Sequence, residues 1–324
     1  MRVPSPPAAE GQAKVAVTAA ALNRRDHWIR RGMYPLISFP AVLGADVSHA
    51  CGVVVDGPRH LPPGPVVVYP CVLWGDYENP SPMMHILGMN PAPGTLAQAV
   101  VVDAAAVRPA PPHLTPVQAA ALPLAGLTAW RAVMTKGRVT PRSRVLVTGI
   151  GGGVALFAAQ FALALGAKVF VTSSSPAKLD LAKALGVHGG VLYTASTWAK
   201  DLLELTDGEL FDSVVDGAGG ANLSVFARKL LGVGGRLVSY GATVGRPPNF
   251  DIHWTFLKQI SLCGSTMGSP ADFDNMLRFV AFHKVVPVVD AVFPLAEFEA
   301  AFGKLRDSSQ FGKVVIELPK AAKL

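Results

Sequence analysis

Between about residues 114 and 255, short apolar runs rich in β-branched residues alternate with longer segments of helical pattern. Strands covered on both faces read as continuous apolar runs, and strands that alternate with helices read as a parallel sheet. Five strands are predicted: Arg144–Thr148, Lys168–Thr172, Val191–Tyr193, Phe211–Val215 and Arg236–Tyr240. The helix between the second and third carries its own boundaries, with Ser175 as N-cap, Pro176 at the first helical position and Gly186 as the stop.

The flanking segments read differently. Residues 1–113 are proline-rich and hold short strand-like runs at Lys14–Ala20, Gly52–Val55 and Val66–Tyr69, with no long amphipathic helix, which predicts a small β-rich domain. After Ser265 the pattern predicts helices at Ala271–His283 and Leu295–Leu305 and a closing strand at Lys313–Leu318. That tail is too short to bury a core of its own, so it is predicted to pack with residues 1–113. The expected organisation is an α/β protein: residues 1–113 with 256–324 form one domain, and residues 114–255 form a second, inserted one. Two domains imply a cleft.

Composition changes this picture little. Half of the 324 residues are hydrophobic and 16% are charged, which calls for a search for a membrane span. The longest apolar stretch, Val154 to Ala167, is broken by Gln160 and Gly166 and falls short of the roughly 20 apolar residues a spanning helix needs, so it reads as a buried helix. The net charge of +7 is scattered over Arg24/Arg25, Arg30/Arg31 and single lysines, which reads as solvated surface with some anion-binding positions and not as a nucleic-acid stripe. Cys51, Cys71 and Cys263 lie far apart without a CxxC pair, which points away from a disulfide framework and from a cysteine-built zinc site. With no signal-peptide core in MRVPSPPAAEG, a cytoplasmic location is expected.

The candidate chemistry begins directly after the first inserted-domain strand, at Thr148-Gly149-Ile150-Gly151-Gly152-Gly153-Val154-Ala155. Glycines at a strand-to-helix turn permit positive φ and let backbone amides approach a pyrophosphate, whose charge the helix N-terminus stabilises. The spacing is not GxGxxG. Aligned to end on Ala155 it reads G-x-x-G-x-x-A through Gly149 and Gly152, so strand, turn and helix carry the reading more than the motif does. The second strand ends in Thr172-Ser173-Ser174-Ser175, with Lys178 following, where an NAD site usually has an acid for the ribose 2′-hydroxyl. Hydroxyls and an ammonium group suit a 2′-phosphate, so NADP(H) is expected over NAD(H).

Six segments together resemble the medium-chain dehydrogenase/reductase superfamily, in its quinone-reductase-like branch. They are Ala21-Leu22-Asn23-Arg24-Arg25-Asp26, Leu43-Gly44-Ala45-Asp46-Val47, Ala121 to Trp130, the glycine turn, Phe211-Asp212-Ser213-Val214-Val215-Asp216 and Phe311-Gly312-Lys313. The resemblance implies a GroES-like catalytic domain split around a Rossmann domain. It implies a cofactor lined by Thr128, Gly149, Gly151, Gly152, Gly153, Val154, Ser173, Ser174, Lys178, Tyr193, Asp216, Gly241, Gly264, Ser265, Phe311 and Lys313. It also implies a homodimer formed through the Rossmann sheet edge. The subgroup is often labelled zinc-binding alcohol dehydrogenase, yet the positions resembling the catalytic zinc ligands hold Asn23, Ala45 and Leu124, so no metal site is expected.

Without a metal, the accessible reaction is hydride transfer to an acceptor that tolerates negative charge by itself, a quinone or an α,β-unsaturated carbonyl. Asn23 is the expected donor to the acceptor oxygen, Asp26 its orienting partner and Tyr34 the candidate proton donor, while Lys313 is expected to reach the cofactor or close the cleft. Trp28, Trp74 and Met83 form an apolar acceptor pocket or belong to the core. Two alternatives stay open: an alcohol or aldehyde dehydrogenase, and a non-catalytic NADPH-binding protein with a structural or RNA-binding role.

Overall fold

The computed structural model describes residues 7–35, 37–49, 54–56, 58, 61–62 and 64–319. Cys51 and residues 52–53 of the expected Gly52–Val55 strand lie outside them. The chain forms two compact units, residues 1–127 with 268–324, and residues 128–267.

The second unit is built on six parallel strands in the order Gly189–Leu192, Lys168–Ser173, Arg144–Val147, Phe211–Asp216, Leu231–Ser239, Ser261–Gly264. In sequence numbering that is 3-2-1-4-5-6, the doubly wound order, whose direction of winding reverses between Arg144–Val147 and Phe211–Asp216. Val145, Val147, Val169, Val171, Val214 and Val215 are fully buried, as two-sided cover requires. The Gly153–Ala164 helix turns Phe157 and Phe161 into the core. The next helix, Pro176–Ala184, starts as the sequence predicts, with the Ser175 side chain accepting from the Lys178 amide.

The sixth strand, Ser261–Gly264, escapes the sequence pattern. It sits at the sheet edge with no residue fully buried, so it lacks the apolar run that marks its neighbours. Its place in the sheet carries the second unit past residue 255.

In the first unit a six-stranded sheet runs Val289–Pro294, Lys313–Glu317, Ala19–Ala21, Ser48–His49, Val66–Val68, Val107–Pro109. A smaller sheet joins Val54–Asp56, Gln12–Ala16 and Ala99–Asp103. Lys313–Glu317 pairs antiparallel with Ala19–Ala21, so the C-terminal tail completes the N-terminal sheet. The Pro116–Ala121 helix belongs to this unit, because Ala120 and Ala121 pack on Ala19, Ala21 and Val315. That packing moves the division from the expected residue 114 to Thr128. The run expected as one strand, Lys14–Ala20, is two, Gln12–Ala16 and Ala19–Ala21, each in a different sheet.

Candidate functional site

In the second unit the expected cofactor residues gather at the C-terminal ends of the parallel strands, where open α/β sheets hold their ligands. Gly149 follows the central strand with φ +65, and a Cβ there would meet nothing within 4 Å, so the turn is both left-handed and open. It is pinned by Gly149 N donating to Thr172 Oγ1 at 3.2 Å and Ile150 N to Thr172 O at 2.8 Å. Gly152 caps the Gly153–Ala164 helix with no side-chain hydrogen bond, so no capping side chain takes the amides of its first turn, which include Gly153 and Val154. A Cβ on Gly151 would stand 3.0 Å from Lys178 Cδ and 3.3 Å from its Nζ. Glycine at 151 therefore leaves room for the Lys178 side chain against this turn.

The three serines divide their work. Ser173 is buried and its hydroxyl accepts from Ser175 N at 3.1 Å, while Ser175 caps the following helix. Ser174 alone is exposed. Tyr193, 40% exposed, follows the Gly189–Leu192 strand and hydrogen-bonds through its amide to Ser173 O at 3.0 Å. Asp216 closes the switch point from within: Oδ1 accepts from Thr148 Oγ1 at 2.6 Å, and Oδ2 accepts from the amides of Gly219 at 2.7 Å and Ala218 at 3.1 Å. Burial pushes the Asp216 carboxyl above its ordinary value, and those three hydrogen bonds oppose the shift. Its role here is to tie two strand ends together. Gly241 lies against Gly217, whose carbonyl oxygen a Cβ would approach to 2.9 Å, Ser265 N donates to Ser239 O at 2.9 Å after Gly264, and Thr128 is buried with its hydroxyl 3.7 Å from Met267 Sδ.

In the first unit the three positions that resemble metal ligands converge on an ion pair. Lys313 Nζ donates to Asp46 Oδ2 at 2.8 Å and to Asn23 Oδ1 at 2.6 Å. Asn23 Nδ2 donates to the same Asp46 Oδ2 at 2.9 Å, and Leu124 N donates to Asp46 Oδ1 at 2.6 Å. Asp46 O accepts from Thr95 Oγ1 at 2.8 Å, which anchors the segment that carries it. The Lys313 and Asp46 side chains are 3% and 0% exposed. A buried charge pair persists only where each partner is hydrogen-bonded as well as paired, and this one is.

Asn23 caps the Arg24–Arg30 helix, where its own amide donates to Asp26 Oδ2 at 2.8 Å. Burial raises the Asp26 carboxyl above its ordinary value, while Arg25, the Asn23 amide and Lys313 pull it down. Asn23, Asp26 and Lys313 thus come together, whereas Tyr34 stands over Arg25, its ring 5.7 Å from the guanidinium carbon. Phe311 is buried and its amide donates to Asp290 Oδ1 at 2.8 Å. Lys313, expected to reach the cofactor or close the cleft, donates to Asn23 and Asp46 in this structure. Trp74 is core, with its indole donating to Tyr77 O at 3.1 Å, and Met83 is exposed.

Asp46, the partner of Asn23 and Lys313, is not among the site residues that the sequence marks. The signal was present as complementary charges in two otherwise apolar runs, Leu43-Gly44-Ala45-Asp46-Val47 and Gly312-Lys313-Val314-Val315-Ile316. Among the described residues no group of three or more His, Cys, Asp or Glu side chains is arranged to hold a metal, and no helix is long and apolar enough to cross a membrane.

Comparison with known proteins identifies this frame. A family model described as alcohol dehydrogenase GroES-like domain matches residues 9–112, and one described as zinc-binding dehydrogenase matches residues 153–281. The chain belongs to the medium-chain dehydrogenase/reductase superfamily and is an oxidoreductase with a GroES-like unit and a Rossmann unit. It is 36% identical to the zinc-type alcohol dehydrogenase-like protein YogA of Leptosphaeria maculans, across 98% of this chain and 93% of that one. It is 29% identical to the mouse mitochondrial NAD(P)H oxidoreductase RTN4IP1, across 93% of this chain and 76% of that one. A crystal structure described as NAD-dependent alcohol dehydrogenase superposes with a TM-score of 0.91 at 37% identity, covering 98% of this chain and 95% of that one.

Proposed function

We propose that the protein is an NADPH-dependent reductase of quinones or α,β-unsaturated carbonyls that works without a catalytic metal. The observation that carries this reading is the Asp46–Lys313 pair. A zinc ion does not fit where the ligand-like positions converge: Ala45 and Leu124 have no donor side chain, Asn23 is held by Asp46 and Lys313, and an ammonium group already supplies the positive charge. Both Asp46 oxygens are engaged, Oδ1 by the Leu124 amide and Oδ2 by Lys313.

A dinucleotide does fit the second unit. The open turn at Gly149, the first-turn amides at Gly153 and Val154, and the Lys178 ammonium beside Gly151 offer the donors that a pyrophosphate and a ribose 2′-phosphate require. Exposed Ser174 and Tyr193 border the same strand ends, and Thr128, Gly241, Gly264 and Ser265 remain proposed lining positions. When bound, the cofactor supplies a hydride. The protein's own share is to orient the acceptor, exclude water and support the charge that develops on its oxygen. Asn23 and Asp26 position the Lys313 network, and half-buried Tyr34 is the candidate proton donor.

Association into a homodimer through the sheet edge is part of the same reading. The Ser261–Gly264 strand has an open edge with Leu262 49% exposed, and the nearby Ile252–Leu257 helix exposes Ile252, Phe256 and Leu257. The reading as a whole is tested by steady-state oxidation of NADPH and NADH against 1,4- and 1,2-quinones, enones and aldehydes, and by NAD-linked oxidation of alcohols, each with and without a chelator. Chelator-insensitive turnover of a quinone or enone with preference for NADPH is the expected result. Chelator-sensitive alcohol oxidation with NAD would replace this reading with that of an alcohol dehydrogenase.

A further inference from the structure

In a doubly wound sheet a dinucleotide lies across the switch point, with one nucleotide on each side of it. The glycine turn, Ser174, Lys178 and Tyr193 follow the strands Arg144–Val147, Lys168–Ser173 and Gly189–Leu192, all on one side. With the adenosine half beside those groups, the nicotinamide half falls to the ends of Phe211–Asp216, Leu231–Ser239 and Ser261–Gly264. Asp216 stands there, but its carboxylate is committed to Thr148, Ala218 and Gly219.

Tyr240 directly follows the Leu231–Ser239 strand, and its amide donates to Asp216 O at 2.9 Å. The loops beyond these two strands are laced together: Thr243 N donates to Gly217 O at 3.3 Å, Val244 N to Ala218 O at 2.8 Å and Gly220 N to Gly245 O at 2.9 Å. On that frame the phenol lies across Gly217, where a Cβ would stand 2.5 Å from Tyr240 Cζ and 2.7 Å from its hydroxyl oxygen. Glycine at 217 is what leaves room for the ring. Tyr240 is half-buried, and its hydroxyl makes no hydrogen bond among the described residues and is not one of the polar atoms sealed from solvent. Burial of the ring and, after it, the Asp216 carboxylate push the phenol above its ordinary value, so it holds its proton through the neutral range. The backbone ladder and the glycine beneath thus fix a ring whose tip carries an idle donor beside the switch point.

We propose that the Tyr240 hydroxyl is a positioning group for the nicotinamide half of the cofactor, donating a hydrogen bond to an oxygen of the nicotinamide riboside. The proposal rests on the dinucleotide reading of the second unit and deepens it. Ser174, Lys178 and Tyr193 hold the adenosine end, and Tyr240 holds the end that reacts. A donor already fixed in place binds without the cost of ordering a free side chain, and it restricts the orientation in which the reacting ring is presented. Tyr240 keeps its proton throughout, and the hydride chemistry is the cofactor's own.

The test is calorimetric titration of the full-length wild type and of Tyr240→Phe with NADP+ and NAD+, and with 2′,5′-ADP and ADP, which keep the adenosine half and lack the nicotinamide riboside. Tyr240→Phe keeps the ring over Gly217 and removes only the hydroxyl, and a thermal melt of each protein establishes that it is folded. The preferred dinucleotide is expected to weaken roughly five- to tenfold in Tyr240→Phe, the worth of one hydrogen bond, while the adenosine fragments bind both proteins alike. Equal dinucleotide affinity in the two proteins overturns the proposal, and so does an equal loss for dinucleotide and fragment, which would make Tyr240 a support of the fold alone. Tyr240-dependent binding of NAD+ in preference to NADP+ would uphold the role of the hydroxyl and strike the choice of NADPH instead. A wild type that binds no dinucleotide would strike both.

Discussion

The Lys313 ammonium lies 2.8 Å from Asp46 Oδ2, with both side chains sealed from solvent. Asp46 follows Ala45 in the N-terminal part of the unit, and Lys313 opens the strand that completes its sheet, so this contact ties together segments far apart in sequence. Removing one partner leaves an uncompensated buried charge, whereas replacing both with apolar groups does not.

Lys313→Met is therefore expected to lose about 3–5 kcal/mol of stability, and the double variant Lys313→Met/Asp46→Leu to lose less than the single one. Urea unfolding of the three proteins checks this. A double variant less stable than Lys313→Met would mean that the hydrogen bonds of Asp46 to Asn23 and Leu124 outweigh the ion pair.

Asp26 gives a pH dependence with a defined sign. Burial raises its folded-state value above the ordinary 3.8, so its contribution to stability is fully present below the unfolded value and is lost as pH rises through the folded one. Asp26→Asn keeps an oxygen for the Asn23 amide and removes the titration. Denaturant unfolding from acid towards neutral pH is expected to show a smaller loss of stability in Asp26→Asn than in wild type. An unchanged slope would assign the acid-range dependence to other groups, Asp216 first among them, since burial raises it too.

Lys178 is expected to distinguish the cofactors. Lys178→Ala should weaken NADPH by roughly 10- to 100-fold, the worth of a charge-assisted contact, and leave NADH nearly unchanged. Fluorescence titration of both nucleotides reads this directly. Equal loss for the two would place the ammonium on the pyrophosphate and leave the 2′-phosphate to Ser174 and Tyr193.

The fold was legible where the chemistry of burial is simplest. The strands around Val145, Val169 and Val214 are covered on both faces, so their apolar runs stand out, and Ser175-Pro176 marks a helix start by local chemistry alone. The edge strand Ser261–Gly264 was not legible, because a strand half exposed over four residues has no pattern to read. The glycine turn announced itself through its place between strand and helix. The Asp46–Lys313 contact did not, since it depends on which residues the sheet brings together, and no local spacing encodes that. Nor do the partners of Asn23 show in the local sequence, since Asp46 and Lys313 lie 23 and 290 residues away.

Hydride transfer without a metal is tested most directly by the zinc content of a dialysed preparation set beside its NADPH-dependent turnover of a 1,4-quinone. Turnover is expected in protein that holds no stoichiometric zinc, with no gain when zinc is added. Turnover that tracks bound zinc, lost on chelation and restored by the metal, would contradict it.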